Sequence, residues 1–261
     1  MSRISERFAQ LRRHRRTGLI TYITAGDPSL AHSAAILKAL DATGVDVLEV
    51  GVPFSDPLAD GPVIQRATER ALASGATIDA VLQMVASVRG EVSAPIVLFS
   101  YANPIVRMGL AAFTARAAAA GVDGILVLDV PPEEGGEWHR VLTAAGIDMI
   151  FLLSPTTSTE RMRKAAQLGR GFLYGISRLG VTGARADVSE AAAELARRVR
   201  GVTDLPLALG FGVSTPEHVQ AFGRMADAAV VGSALVQVIA EQGTDGDPAG
   251  AAATYVRWLR G

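Results

Sequence analysis

Glu49 closes an apolar run, and eleven residues later Asp60 stands in a loop crowded with proline, glycine and aspartate, Gly51-Val52-Pro53-Phe54-Ser55-Asp56-Pro57-Leu58-Ala59-Asp60-Gly61-Pro62. A carboxylate where a buried strand ends is poor sequence for packing, because an ionised group loses its hydration there. It is good sequence for moving a proton. Two carboxyl groups in unlike surroundings hold their protons with unlike affinity, so one can shuttle a proton while the other stays ionised. On spacing alone, a structural carboxylate paired with an arginine fits as well.

Glycines and hydroxyls form a second constellation. Gly210-Phe211-Gly212-Val213-Ser214 and Gly232-Ser233-Ala234 each follow a short apolar run. Glycine lets the backbone approach a ligand closely, and free N–H groups at a helix start hold a phosphate dianion. Phe211 is either core or a plate on which a flat substrate stacks. Between these runs and the middle of the chain lies Ser177-Arg178-Leu179-Gly180-Val181-Thr182-Gly183-Ala184-Arg185, too polar for core. It fits a lid that excludes water and brings Thr182 to the substrate, or a plain surface connection. Cysteine is absent, and His14, His32, His139 and His218 are scattered without metal-ligand spacing, so no catalytic metal is expected.

These groups need elements to position them. Short Val, Ile and Leu runs alternate with Ala-rich stretches, and eight strands are predicted: Leu19 to Thr24, Val45 to Val50, Pro95 to Ser100, Gly124 to Val130, Asp148 to Leu153, Gly171 to Ile176, Pro206 to Gly210 and Ala228 to Gly232. Apolar runs without polar alternation suit parallel strands covered on both faces. Helices are predicted over Ala31 to Thr43, Leu110 to Ala120, Glu133 to Ala145, Glu160 to Leu168 and Ser189 to Arg200, with Ser158 and Ser189 as N-caps and Gly44, Gly121 and Gly146 just past C-termini. The expected class is α/β, a (β/α)8 TIM barrel forming a single domain over residues 1–261, with an extra N-terminal helix. No G-x-G-x-x-G follows the first strand, which argues against an open dinucleotide-binding sheet. In a barrel the strand ends face the chemistry, and Glu49, Ser100, Asp129, Tyr174 and Gly232 all fall there.

Composition limits the classes further. With 261 residues, 49% hydrophobic content and a net charge of -1, the chain can bury a large core and has no field suited to nucleic acid. The first helix is basic (Arg3, Arg7, Arg12, Arg13, Arg15, Arg16) with Ile4, Phe8 and Leu11 on its inward face, and the arginines are expected to be a solvated surface. No apolar stretch approaches the roughly 18 to 20 residues of a membrane span, and a cytoplasmic protein is expected.

The motifs resemble the tryptophan synthase alpha chain family. The likeness rests on Tyr22-Ile23-Thr24-Ala25-Gly26-Asp27-Pro28, on the block from Leu48 to Gln65, on Tyr101-Ala102-Asn103-Pro104, on Asp129-Val130-Pro131, on Ser177 to Gly183, and on the two glycine turns, in the family's order and over nearly the whole chain. The Glu49 to Gln65 block is the most specific part. The resemblance implies retro-aldol cleavage of indole-3-glycerol phosphate to indole and glyceraldehyde 3-phosphate. It implies Glu49 as proton shuttle, Asp60 on the indole N–H, and Tyr174 and Thr182 positioning substrate and Glu49. Tyr22, Ile64, Tyr101, Leu126 and Phe211 would contact the substrate, and Gly183, Gly212, Gly232 and Ser233 its phosphate. It further implies no cofactor in this chain and a tryptophan synthase beta chain as partner in an α2β2 heterotetramer. That beta chain carries pyridoxal phosphate and condenses the indole passed to it with serine. Pro53, Asp56, Asn103 and Pro104 would meet it over the barrel mouth. Leu128 is bulkier than the small residue some relatives carry before the strand-four aspartate.

Two alternatives share these residues. A stand-alone indole-3-glycerol phosphate lyase would turn over rapidly without a partner. A non-catalytic barrel retained as an allosteric subunit is disfavoured because both carboxylates and every phosphate-loop glycine are present. A Schiff-base aldolase needs a lysine on a strand, and the two lysines, Lys38 and Lys164, fall in predicted helices.

Overall fold

The computed structural model describes residues 1–176, 185–210 and 212–261. Nine strand segments form one wholly parallel sheet: β1 (Gly18–Thr24), β2 (Val47–Gly51), β3 (Ile96–Ser100), β4 (Gly124–Val127), β5 (Asp148–Ile150), β6 (Leu152–Leu153), β7 (Leu173–Ile176), β8 (Leu207–Gly210) and β9 (Ala228–Val231). The segments β5 and β6 occupy the two edges of that sheet and are separated only by Phe151. They are two halves of one strand, the first paired with β4 and the second with β7, and they close the eight-stranded barrel that the βα rhythm predicts.

The helices are α1 (Arg3–Arg13), α2 (Leu30–Ala42), α3 (Pro62–Ala73), α4 (Ile78–Val88), α5 (Ala102–Met108), α6 (Leu110–Ala120), α7 (Gly135–Ala144), α8 (Thr159–Leu168), α9 (Arg185–Arg200), α10 (Pro216–Gly223), α11 (Ser233–Gln242) and α12 (Pro248–Arg260). Among the described residues no single helix is long and apolar enough to cross a membrane. Ser158 caps α8 as expected, its hydroxyl accepting from the Arg161 N–H. Ser189 does not cap a helix, because α9 begins four residues earlier at Arg185.

Most strands are a residue or more shorter than the predicted runs, and two of the differences have a clear local cause. β4 stops at Val127 because the chain turns out of the ladder and the Asp129 carboxylate takes the first N–H of α5, that of Ala102, at 2.7 Å. β7 starts at Leu173 because Gly171 sits at φ +75, which no strand residue adopts. The largest core cluster lies between the strands and the helices that cover them, and a second fills the barrel interior with Ile20, Val47, Val97, Leu126, Ile150 and Phe172.

The first helix stoppers the bottom of that interior. Ile4, Phe8 and Leu11 are buried in it, and Phe8 packs on Phe172 with ring centroids 5.4 Å apart. The basic face stays largely exposed, as expected, but four of its six arginines are also paired. Arg3 pairs with Asp123 at 3.9 Å, Arg7 with Asp46 at 3.6 Å and Arg12 with Asp227 at 3.5 Å, while Arg16 bonds Asp46 at 3.0 Å. Each aspartate also accepts a backbone N–H at the start of the preceding strand: Leu19 for Asp46, Ile96 for Asp123 and Leu207 for Asp227. Strand starts with unmet N–H groups need an acceptor, and the aspartates then need cations. The helix is held by charge as well as by its apolar side.

Candidate active site

At the opposite end of the strands the interior changes from aliphatic to polar. The register sets Tyr22 of β1 beside Glu49 of β2, and both point inward above the aliphatic layers. Glu49 is fully buried, and among the described residues neither carboxylate oxygen has a hydrogen-bond partner. Burial alone pushes its proton affinity up, to a pKa of about 8. A buried acid left unpaired costs stability, and such a group is usually kept for chemistry.

Two phenols flank it. Burial, and then Glu49, raise the Tyr174 phenol well above its ordinary range, and the Tyr22 phenol is raised by burial, then by Asp60, then by Glu49. Tyr22 therefore lies within the field of both carboxylates. Each phenol sits over a glycine: a Cβ on Gly51 would come within 2.1 Å of the Tyr22 oxygen, and one on Gly210 within 2.6 Å of the Tyr174 oxygen. The site has room for two tyrosines because β2 and β8 supply glycine where their side chains would point inward.

Asp60 comes from the loop after β2, immediately before Gly61 and α3. It is half-buried, and its carboxylate accepts a hydrogen bond from the Tyr101 hydroxyl at 3.2 Å. Burial raises its pKa to about 6, opposed by that hydrogen bond. On α3, the Gln65 amide donates to the Asp60 carbonyl at 2.8 Å and fixes the backbone. Among the described residues, neither carboxylate pairs with an arginine, the structural arrangement that spacing alone allows.

Apolar side chains surround the pair. Tyr22 packs with Ala67 and Val236, and with the half-buried Ile64 and Phe99. Leu126 is fully buried under the half-buried Phe99, Leu128, Leu152 and Tyr174. Leu126 thus forms the floor, and Phe99, Leu128 and Leu152 present the partly open surface to the mouth. Phe99 meets Tyr22 edge-on at 5.3 Å and Tyr174 at 6.4 Å.

The glycine turns converge on one corner. Gly210 of β8 pairs with Val230 of β9, so Gly212 and Gly232, each two residues further on, leave adjacent strands side by side. Gly212 adopts φ +73 with open space beside it among the described residues, and Gly232 is the N-cap of α11, whose first turn presents Ser233. The corner has the free N–H groups and helix N-terminus that suit a phosphate. Thr182, Gly183 and Phe211, expected at the substrate and its phosphate, lie outside the described residues.

The chain matches the tryptophan synthase alpha chain family model over residues 8–256. It is 46% identical over 260 residues to the tryptophan synthase alpha chain of Geobacter sulfurreducens, covering 100% of this chain and 98% of that one. It is 50% identical over 242 residues to that of Methylococcus capsulatus, covering 92% and 90%. Among solved structures, tryptophan synthase subunit alpha from Legionella pneumophila superposes with a TM-score of 0.89 at 39% identity, covering 100% of this chain and 97% of that one. A chain of tryptophan synthase from Mycobacterium tuberculosis, in an aminoacrylate-bound form, superposes with a TM-score of 0.88 at 33% identity, covering 100% and 98%. The chain belongs to the tryptophan synthase alpha chain family.

As a tryptophan synthase alpha chain it is a carbon–carbon lyase that cleaves indole-3-glycerol phosphate, in L-tryptophan biosynthesis. It needs no cofactor of its own, since pyridoxal phosphate belongs to the beta chain that is its partner. Of the residues expected to meet that partner, Asp56 and Asn103 are exposed and Pro104 is half-buried. Pro53 is buried, in the wall of a groove that Phe54, Asn103, Pro104 and Arg107 also line. Sequence reasoning missed Phe99 and Leu152 as pocket residues. The signal was the two-residue alternation from Val97 and Ile150, which carries the inward face to the strand ends.

Proposed function

We propose that Glu49 is the proton shuttle of the retro-aldol step and that Asp60 holds the indole N–H and the positive charge that develops there. The single observation that supports this most is the contrast between two carboxyls, one buried and without a partner among the described residues, with a pKa of about 8, the other hydrogen-bonded with a pKa of about 6. Between those values Glu49 carries a proton and Asp60 is ionised. Glu49 then gives its proton to indole C3, and the ring becomes an iminium whose N–H lies against the Asp60 carboxylate. The Glu49 carboxylate so formed takes the proton of the hydroxyl next to the breaking bond. That hydroxyl becomes the aldehyde of glyceraldehyde 3-phosphate, and the bond's electrons return to the ring. Indole leaves, and Glu49 has its proton back.

Tyr174 and Thr182 orient the substrate and Glu49 in this reading. The indole rests among Tyr22, Ile64, Leu126 and Phe211, with Phe99 and Leu128 beside them, and Tyr101 stands next to Asp60. Gly183, Gly212, Gly232 and Ser233 hold the phosphate through backbone N–H groups and one hydroxyl. The beta chain docks over the mouth on the loop carrying Asp56 and on Asn103 and Pro104, in an α2β2 assembly. Its binding orders the loops around Asp60, and indole passes to it without reaching solvent. The reaction runs in the cytoplasm, where a phosphate ester substrate is retained.

The test is indole release from indole-3-glycerol phosphate by the purified chain, alone and with a tryptophan synthase beta chain, for wild type, Glu49→Gln and Asp60→Asn. Release that rises roughly tenfold or more with the partner and falls by about 100-fold or more in both variants supports the assignment. Wild-type rates in Glu49→Gln overturn it. Fast release without the partner identifies a stand-alone lyase instead. Sedimentation of the mixed chains reads the stoichiometry.

A further inference from the structure

The hydroxyl of Tyr101 is used twice. It accepts a hydrogen bond from the Ala59 N–H at 2.9 Å and donates one to Asp60 Oδ2 at 3.2 Å. A phenol has one proton to give, so that proton is committed to Asp60 and none remains for a substrate. The ring is only 7% exposed and lies against Phe54, with centroids 5.3 Å apart. The loop that carries Asp60 is therefore gripped at Phe54 by the ring and at Ala59 and Asp60 by the hydroxyl. Tyr101 is also the N-cap residue of α5, the helix that carries Asn103 and Pro104 and whose first N–H is anchored on Asp129.

We propose that Tyr101 is a positioning residue: it fixes the Asp60 carboxylate for the indole N–H and carries any displacement of α5, where the partner docks, to that carboxylate. The proposal rests on the role given to Asp60 above. A hydrogen bond donated at this distance favours the ionised carboxylate, which is the form that accepts the indole N–H. Among the described residues, the other titratable groups near Asp60 are Tyr22 from β1 and, beyond it, Glu49 from β2, while Asp129 faces Tyr101 from the end of β4. None of these described groups is a cation, and the Tyr101 hydroxyl donates directly to the charge.

Tyr101→Phe keeps the ring on Phe54 and deletes both hydrogen bonds. Indole release by the full chain, with and without the beta chain and across about pH 5 to 9, reads the effect. A hydrogen bond to a charged group sets the expected fall in kcat at roughly 10- to 100-fold. KM should stay within about threefold, the acid limb of kcat/KM should move to higher pH, and activation by the partner should shrink. In an Asp60→Asn background the same substitution should change kcat by less than about twofold. A rise in KM with kcat and the acid limb unmoved would make Tyr101 a substrate contact and overturn the proposal. So would a fall in melting temperature and kcat with the limb in place, the mark of a structural role. Retained activity in Asp60→Asn removes the Asp60 assignment itself, whereas collapse there with an unaltered Tyr101→Phe removes only this proposal.

Discussion

The phenol oxygen of Tyr22 lies over Gly51, so close that a single methyl group on that glycine would stand 2.1 Å from it. Gly51 is two residues beyond Glu49 on the same strand and shares its inward face. The two side chains that flank Tyr22 on β2 are thus the shuttle and an enforced gap.

Gly51→Ala should fold, because the site opens toward the mouth and Tyr22 can swing, but the phenol must leave its place between the carboxylates. We expect kcat to fall by about 10-fold or more, with a loss of stability of roughly 1–3 kcal/mol from overpacking. Steady-state kinetics and urea unfolding of the variant check both. An unchanged kcat would mean that the position of Tyr22 does not matter to the reaction.

Glu49 should make stability depend on pH in a direction opposite to that of a salt-bridged acid. Its folded pKa of about 8 exceeds its ordinary value of 4.5, so the folded chain keeps a proton that the unfolded chain releases between those values. Stability is then lost as pH rises through that window, by a few kcal/mol in all. Glu49→Gln removes the slope. Relative to wild type, the variant should gain on the order of 5 °C in melting temperature between about pH 5 and pH 8. Parallel melting curves for the two proteins across that range would contradict the burial of an unpaired carboxyl.

The pH profile of kcat/KM should distinguish the order of proton transfers. If Glu49 acts first as an acid, activity requires Asp60 ionised and Glu49 protonated, which gives a bell with limbs near pH 6 and pH 8. If it acts first as a base, activity rises through both values and no alkaline limb appears. We expect the bell, and Asp60→Asn should abolish its acid limb.

Asp46 collects Arg7, Arg16 and Arg260 together with the Leu19 N–H at the closed end of the barrel, with its side chain wholly buried. Asp46→Ala leaves partly exposed cations and one buried N–H without a partner, and should cost about 2–4 kcal/mol. The mouth lies at the far end of the strands, so kcat of the folded fraction should stay near wild type. Urea unfolding paired with kinetics checks this, and a parallel loss of kcat would show coupling between the two ends.

The pairing of Asp46 with the first helix also marks a limit of sequence. Strand positions, the parallel arrangement and eight-fold closure were legible because buried parallel strands need unbroken apolar runs and glycine or capping residues bound the helices. The candidate shuttle was legible for a related reason: an acid at the end of such a run has no packing purpose. The arginines of α1 gave no such sign, because a basic helix face looks alike whether it meets water or aspartates that lie from about 40 to over 200 residues away. Phe99 and Leu152 look like ordinary core until the barrel curves their strand ends into one mouth.

By itself, the sequence determined the order of elements, the family, and the two carboxylates, since each depends on local residue type, periodicity or motif order. Only the tertiary structure decided that Glu49 has no partner among the described residues, that Asp60 is held by Tyr101, and that Gly51 and Gly210 make space for two phenols. Those facts are distances between residues far apart in the chain. Proton affinity and close packing depend on such distances, and they exist only once the barrel closes.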